Sequence, residues 1–405
     1  MVPVVPDSPL WIAVLLLATL QGGMLLVLIW RLLPGWSRRP PAAPVVDGPA
    51  DTTVSVIVTT LNEVHRVGPC LEGLMRQGAP LLEVLVVDSR STDGTRELVE
   101  AAAARDPRIR LVTDEPLPPG WVGKVWALEA GLHEARGEWV LGIDADTVPA
   151  PGLVGGVVQA ARQDGFDVAS FSPQFRDQTH AERFVQPAML CTLVYRCGAV
   201  GATQPPPDRV LANGQCFLAR RDLLLKHGGY TPARSSFCDD VTLARHLAAR
   251  GARVGFLDGS CIIQVRSYTS LAEMWREWGR SFDLQDATSL WHRWLDVVLV
   301  WAVQGIPLLV LLAVGLLRAA GLWPAPGTPE TAVLTALVAV NASALAIRLA
   351  MLTALAASYA EQGASFWLSW LSDPAAAFRL TLSTVKRPKA WRGRAYVAPT
   401  SEPTI

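Results

Sequence analysis

The chain has 405 residues, half of them hydrophobic, and Lys plus Arg balance Asp plus Glu at 36 each. Zero formal charge gives no global pull toward nucleic acid or an acidic surface, and the length exceeds what one compact domain needs. Cys70, Cys191, Cys197, Cys216, Cys238 and Cys261 form no Cys-x-x-Cys pair, which argues against a zinc knuckle or a disulfide framework and for buried thiols in a reducing compartment.

Leu10 to Trp30 is an almost unbroken apolar run, long enough to cross a bilayer, with Trp11 and Trp30 near its ends as interfacial anchors. It lacks the basic start and small-residue cleavage pattern of a signal peptide, so residues 1–35 read as a retained anchor. Arg31, Arg38 and Arg39 follow the run, which by the positive-inside rule leaves the amino terminus outside and the chain from residue 40 in the cytoplasm. Residues 36–52 read as a stiff, structureless Pro/Ala linker.

Residues 53–274 alternate short β-rich runs with helical stretches: strands at 54–60, 84–87, 109–112 and 139–143, and helices at 64–77, 94–104 and 124–135. Alternation of this length implies βαβ crossovers, hence an α/β domain with a parallel sheet covered on both faces. Residues 275–294 read as an interfacial segment. Leu295–Leu317 and Ala332–Ala357 are each long enough to span, and Asn341 and Arg348 within the second are expected to face a neighbouring helix or the ligand path. Phe366–Leu382, interrupted at Asp373-Pro374, is expected to lie in the interface within a membrane block ending at residue 382. Residues 383–405, with Lys386, Arg387, Lys389, Arg392 and Arg394, read as a basic cytoplasmic tail.

Ligands of open α/β sheets bind at the carboxyl ends of the strands. Three strands here end in acids: the first at Glu63, the second at Asp88 and Asp93, a later one at Asp144-Ala145-Asp146. Singly, each acid reads as a cap or turn residue, Asp93 before Gly94 above all. Together they point to one shared site. Two carboxylates one residue apart, where a buried strand gives way to a loop, suit Mg²⁺ or Mn²⁺, hard ions commonly held by one or two carboxylates plus phosphate oxygens.

The segments SVIVTTLNE, VVDSRSTDGT and DAD, with Asp239-Asp240 further on, resemble family 2 glycosyltransferases of the GT-A fold over about residues 54–260. The resemblance implies a Rossmann-like nucleotide-diphospho-sugar domain flanked by transmembrane helices. Glu63, Asp88 and Asp93 would hold the nucleotide, and Asp144 and Asp146 the metal bridging the diphosphate of a UDP- or GDP-sugar. Ser89 departs from the family pattern, in which many members have a second Asp. By match Asp240 is the general base that takes the acceptor's proton, while Asp239 reads equally as base partner or helix cap.

In Pro118-Pro119-Gly120-Trp121-Val122-Gly123-Lys124, a lysine opens a helix, against the dipole, which suggests a compensating anion such as diphosphate; a solvated lysine is the other reading. The Gly-Trp-x-Gly-Lys loop is similar to those of carotenoid glycosyltransferases and of a hopanoid-associated group. Asn213-Gly214-Gln215 reads either as close backbone approach to the donor sugar or as a plain turn. Trp278 and Arg280 read as a gate over the diphosphate or as interfacial anchors, because the Arg-Trp motif of processive synthases is not intact here.

The expected protein is therefore an integral protein of a bacterial cytoplasmic membrane. It is an inverting, metal-dependent hexosyl- or deoxyhexosyltransferase acting on a nucleotide sugar and a lipid alcohol, with no nucleic-acid partner. A carotenoid is the first acceptor and a hopanoid or other glycolipid the second. A processive polysaccharide synthase is the competing enzyme, and a non-catalytic membrane scaffold the competitor from another class.

Overall fold

The computed structural model describes residues 9–387 except 178, 202–205, 267 and 269, and the backbone of 390–391 and 394–395. Helix α1 (Pro9–Leu32) passes through a tight turn into the Pro/Ala segment. That segment is not structureless. The N–H of Ala42 donates to the carbonyl of Asp258 at 2.7 Å, and that of Val45 to Gly152 at 2.9 Å, strapping it along the α/β block. A Cβ at Gly155 or Gly156 would sit 2.2 Å from the Val45 carbonyl or 2.5 Å from that of Ala43, so glycine lets the strap lie down.

Strands β1 (Val54–Thr60), β2 (Leu81–Asp88), β3 (Ile109–Thr113) and β4 (Trp139–Asp144) alternate with helices α2 (Val67–Met75), α3 (Thr95–Arg105) and α4 (Gly123–Glu134). They run parallel in the order β3-β2-β1-β4. Alternate residues serve opposite faces. Val54, Val56 and Val58 pack with Leu71, Leu74 and Val154, whereas Ile57, Leu85 and Val87 pack with Val125, Leu128 and Leu132. Two element starts differ from expectation by three residues. β2 begins at Leu81 and carries Glu83 buried among partners; α2 begins at Val67, because the Val64 N–H is drawn to Asp93.

Then follow β5 (Thr147–Pro149), α5 (Leu153–Asp164), β6 (Val168–Ser172), β7 (Gln174–Phe175), α6 (His180–Cys197), β8 (Cys216–Arg220), α7 (Arg221–Lys226), α8 (Asp239–Ala248), β9 (Val254–Asp258) and β10 (Ile263–Val265). The large sheet continues β4-β8-β6-β9, with β8 antiparallel to both neighbours, and β5-β10-β7 form a small second sheet. Register places Thr60 beside Asp88 and Thr59 beside Asp144, so β2, β1 and β4 end along one edge.

The chain closes with α9 (Leu271–Ser281), α10 (Leu290–Val300), α11 (Pro307–Ala319), α12 (Pro329–Leu355), α13 (Ala364–Trp367) and α14 (Asp373–Val385). Among the described residues two helical stretches, Pro9–Ser37 and Pro329–Ser358, are long and apolar enough to cross a membrane, with mean hydropathies of 2.5 and 1.9. The expected single span Leu295–Leu317 is instead bent by 46° at the Trp301–Gly305 π-turn. Pro307 offers no N–H to continue the helix and opens α11.

Asn341 and Arg348 both face protein. Asn341 exchanges two hydrogen bonds of 2.8 Å with Gln21 of α1, and Arg348 Nε meets both oxygens of Asp373 at 2.9 Å. Interhelical polar pairs of this kind contribute about 1 kcal/mol each. The Phe366–Leu382 segment is broken ahead of Asp373-Pro374, which starts α14, and α14 lies against α9: Arg379 Nε donates to the Trp275 carbonyl at 2.8 Å and Ser383 to that of Gly279 at 3.0 Å. Arg387 reaches Asp286 and the Ser235 carbonyl, so the chain at residue 387 stands beside the α/β block. The basic tail expected at Lys389 and Arg392 lies outside the described residues, as does the Arg394 side chain.

Candidate active site

A cavity of about 220 Å³ opens at the carboxyl edge of the sheet. The end of β4 delivers Asp144 and Asp146, the start of α4 Lys124, the loop before β8 Gln215, the start of α8 Asp239 and Asp240, and α9 Arg280 with Trp278. These eight candidates thus line one cavity. The same cavity also carries an apolar lining, from Leu190, Leu193, Val194, Leu211 and Phe256.

Lys124 Nζ lies 2.6 Å from Asp144 Oδ1. Burial works against its ammonium form, but Asp144 and Asp239 outweigh burial and hold the pKa above the ordinary lysine value. The dipole-opposed lysine of the proline-glycine loop is therefore compensated by carboxylates in this state. Asp240 Oδ2 accepts the Gly214 N–H at 2.6 Å, and Oδ1 its neighbour's, Val241, at 2.8 Å. Gly214 has no positive φ; its use is proximity, since a Cβ there would sit 3.0 Å from Lys124 Nζ. Gln215 Oε1 accepts from Asn213 Nδ2 at 3.1 Å, which fixes its amide in the wall. Cys238, not Asp239, occupies the cap position of α8, and the helix begins at Asp239 rather than Val241. Both acids fall in its first turn, where the dipole favours negative charge. Even so, burial and mutual repulsion raise the Asp240 carboxyl to about 7. Asp239 is also raised, burial being the main cause.

Glu63, Asp88 and Asp93 are not in that lining. Asp88 is fully buried, with Oδ1 accepting the Ser91 hydroxyl at 2.5 Å and that of Thr60 at 3.1 Å. Asp93 accepts the Val64 N–H at 3.1 Å and both the N–H and hydroxyl of Thr95, at 3.0 and 2.6 Å. The Glu63 N–H donates to Thr95 Oγ1 at 2.8 Å. As the structure stands, Asp88 and Asp93 lock the β1–α2 and β2–α3 loops together. The lock holds Asn62 and Arg90 at φ of 57° and 62°, a strained backbone for non-glycine residues.

Two features escaped the sequence. Ser89, where the family pattern has an acid, donates to Asp114 Oδ2 at 2.7 Å, so β3 supplies a buried acid to the same edge. Its position directly after a strand was the available signal. Arg66 Nη2 meets Glu273 at 3.0 Å, bridging the β1 loop to α9 across the cavity, and no local pattern marks a pair so distant in the chain.

Among the described residues the lining carries six carboxylates (Asp144, Asp146, Asp239, Asp240, Glu273 and Glu277) against the three cations Arg66, Lys124 and Arg280. Arg280 contacts Glu277. A diphosphate entering an acidic cavity requires a cation, and hard carboxylate oxygens at Asp144 and Asp146 are ligands Mg²⁺ or Mn²⁺ accepts. No set of three His, Cys, Asp or Glu side chains among the described residues could hold a metal alone. Two aspartates completed by the donor's own phosphates therefore fit the group.

Residues 55–228 match the family model "Glycosyl transferase family 2". The chain is 32% identical over 127 residues to the succinoglycan biosynthesis protein ExoO of Rhizobium meliloti, covering 31% of this chain and 34% of that protein. It is 24% identical over 280 residues to "Probable glycosyltransferase YdaM" of Bacillus subtilis, covering 67% and 62%. The chain thus spans about a third of the length of the ExoO-like relatives. Among solved structures, the mannosyltransferase PcManGT of Pyrobaculum calidifontis, in complex with GDP-Man and Mn2+, has a TM-score of 0.52 at 21% identity, covering 92% of this chain and 98% of that one. That likeness extends the fold beyond the span of the family model. The match to family 2 glycosyltransferases thus lies within residues 55–228, on a mixed α/β, Rossmann-like GT-A fold.

Proposed function

We propose that the protein is an inverting, metal-dependent glycosyltransferase that moves a sugar from a UDP- or GDP-sugar to the hydroxyl of a membrane lipid. The observation that carries this reading is the cavity's mixed lining: aspartates and Lys124 together with leucines and Phe256. A water-soluble acceptor gains nothing from the apolar lining. A lipid alcohol buries its body there at about 25 cal/mol per Å² and presents its oxygen to Asp240.

Asp240, its carboxyl raised toward neutrality, takes the proton as the acceptor oxygen bonds to the anomeric carbon. The bond from that carbon to the diphosphate oxygen breaks, and the nucleoside diphosphate leaves. A divalent cation on Asp144 and Asp146 would neutralise that leaving group when bound. Lys124 lies beside Asp144 and adds positive charge at the same place, while Arg280 and Trp278 line the cavity from α9. One base opposite the leaving group inverts the anomeric centre. Gly214 anchors Asp240 in position, and Asp239 keeps its proton affinity high.

A carotenoid alcohol is the first candidate acceptor, from the similarity of the Gly120–Lys124 loop, and a hopanoid the second. The arginines after α1 and the return of residue 387 to the α/β block support an amino terminus outside a bacterial cytoplasmic membrane, with the enzyme domain inside. The test is mass spectrometry of lipids and pigments after incubation of purified protein with nucleotide sugars. One hexose or deoxyhexose added to one lipid species, with an inverted anomeric proton by NMR, is the expected product. A growing polymer would favour the synthase.

A further inference from the structure

A second cavity of about 200 Å³ borders the first. Its walls include Trp30 and Arg31 of α1, Phe166, Cys197, Ala199 and Arg209. Gly198, Leu211 and Phe256 line both cavities, so these three residues form the partition between them. Gly198 bears no side chain and adopts φ 98°, which leaves Leu211 and Phe256 as the only side chains among those three shared residues. The outer mouth sits at the carboxyl end of α1. There Trp30 is 60% exposed beneath the Arg209 guanidinium, 5.0 Å from its ring centre, and Trp36 is 95% exposed. Exposed tryptophans with a cation above them mark the level where hydrocarbon meets headgroups.

Extending the acceptor reading above, on which this inference rests, we propose that the second cavity is the acceptor's entry channel. The apolar tail of the lipid alcohol occupies the space between Trp30, Phe166, Cys197 and Ala199, and its hydroxyl passes Leu211 and Phe256 to reach the aspartates. Adjacency decides the occupant. The inner end abuts the catalytic cavity across Leu211 and Phe256, and the lining at the other end belongs to an apolar helix long enough to span a bilayer. A soluble substrate has no reason to approach from that side.

The experiment compares two alcohols with the same reacting end, prenol and geranylgeraniol, as acceptors for the full-length protein in nanodiscs. Ala199→Phe fills the channel and is expected to lower the geranylgeraniol-to-prenol transfer ratio by about tenfold or more, because several methylenes lose their seat. An unchanged ratio with geranylgeraniol still used overturns the channel but leaves the lipid-acceptor reading intact. Transfer to neither alcohol nor any membrane lipid by the unaltered protein sinks that reading and the channel with it. A second measurement needs neither a variant nor a donor. A geranylgeraniol analogue with a diazirine in its tail is photolysed on the unaltered protein, and the adducts are mapped. Adducts at Phe166, Cys197 or Ala199, suppressed by excess geranylgeraniol, support the channel. Adducts confined to the outer faces of α1 and α12, or not suppressed, overturn it.

Discussion

The two ends of the parallel strands treat buried acids in opposite ways. At the amino end, Glu83 is 1% exposed, and burial alone would raise its pKa. Arg136 Nη2 at 2.7 Å, the Ser55 hydroxyl at 2.9 Å and Arg110 Nη1 at 2.9 Å reverse that and hold the carboxyl at about 2. At the carboxyl end, Asp240 has two backbone N–H donors but a second aspartate beside it, and its carboxyl stands near 7. Glu83 is surrounded by cations that secure its charge, whereas Asp240 stands beside a second acid that raises its affinity for a proton.

The largest effect that would sharpen this contrast is loss of an aspartate at the end of β4. Asp144→Ala or Asp146→Ala is expected to cut sugar transfer by about a thousandfold or more, because the leaving diphosphate loses its counter-charge. The check is steady-state transfer with Mn²⁺ titrated, and activity within a few-fold of the parent would break the comparison. Asp240→Asn keeps the size of the side chain but removes the base; a loss of about a hundredfold or more in kcat is expected, with KM for the donor little changed. Equal loss in both would make Asp240 a binding residue instead.

How legible this was depended on distance along the chain. Strands β1 to β4 could be read because each is a short apolar run between turn residues, and their acids follow directly. The bend before α11 was less legible, since hydropathy averages over Pro307. The strapped linker was invisible because Ala42 and Val45 bond to residues more than one hundred positions away, and the start of β2 was missed because the cations that settle Glu83 arrive from β3 and the turn before β4. Asp88 and Asp93 were recognisable as edge acids, but only coordinates show their oxygens spent on neighbouring hydroxyls and amides. Local pattern tells which residues reach the edge, not which of them face the cavity.

The pH profile gives a smaller, directional test. A base whose carboxyl is raised toward neutrality is protonated below about 7, so kcat is expected to fall about tenfold per pH unit on the acid side, and the break should vanish in Asp240→Asn. A flat profile down to pH 5 would contradict the assignment. The smallest effect on chemistry belongs to Glu83→Gln. Its carboxyl is depressed in the folded state, so it stabilises above the unfolded value near 4.3, and that contribution is lost as pH falls through about 2. Because Arg136 is 64% exposed and screened, its loss is expected to cost about 2 kcal/mol, read as a lower Tm at pH 7, with transfer per folded molecule unchanged.

The most direct measurement follows radiolabelled sugar from UDP- and GDP-donors into the organic phase, using purified protein in nanodiscs with extracted membrane lipids. The account predicts chloroform-soluble label that requires Mn²⁺ or Mg²⁺ and disappears in Asp146→Ala. Label that stays in water with every donor, or enters the lipid phase equally well without Asp146, would contradict it.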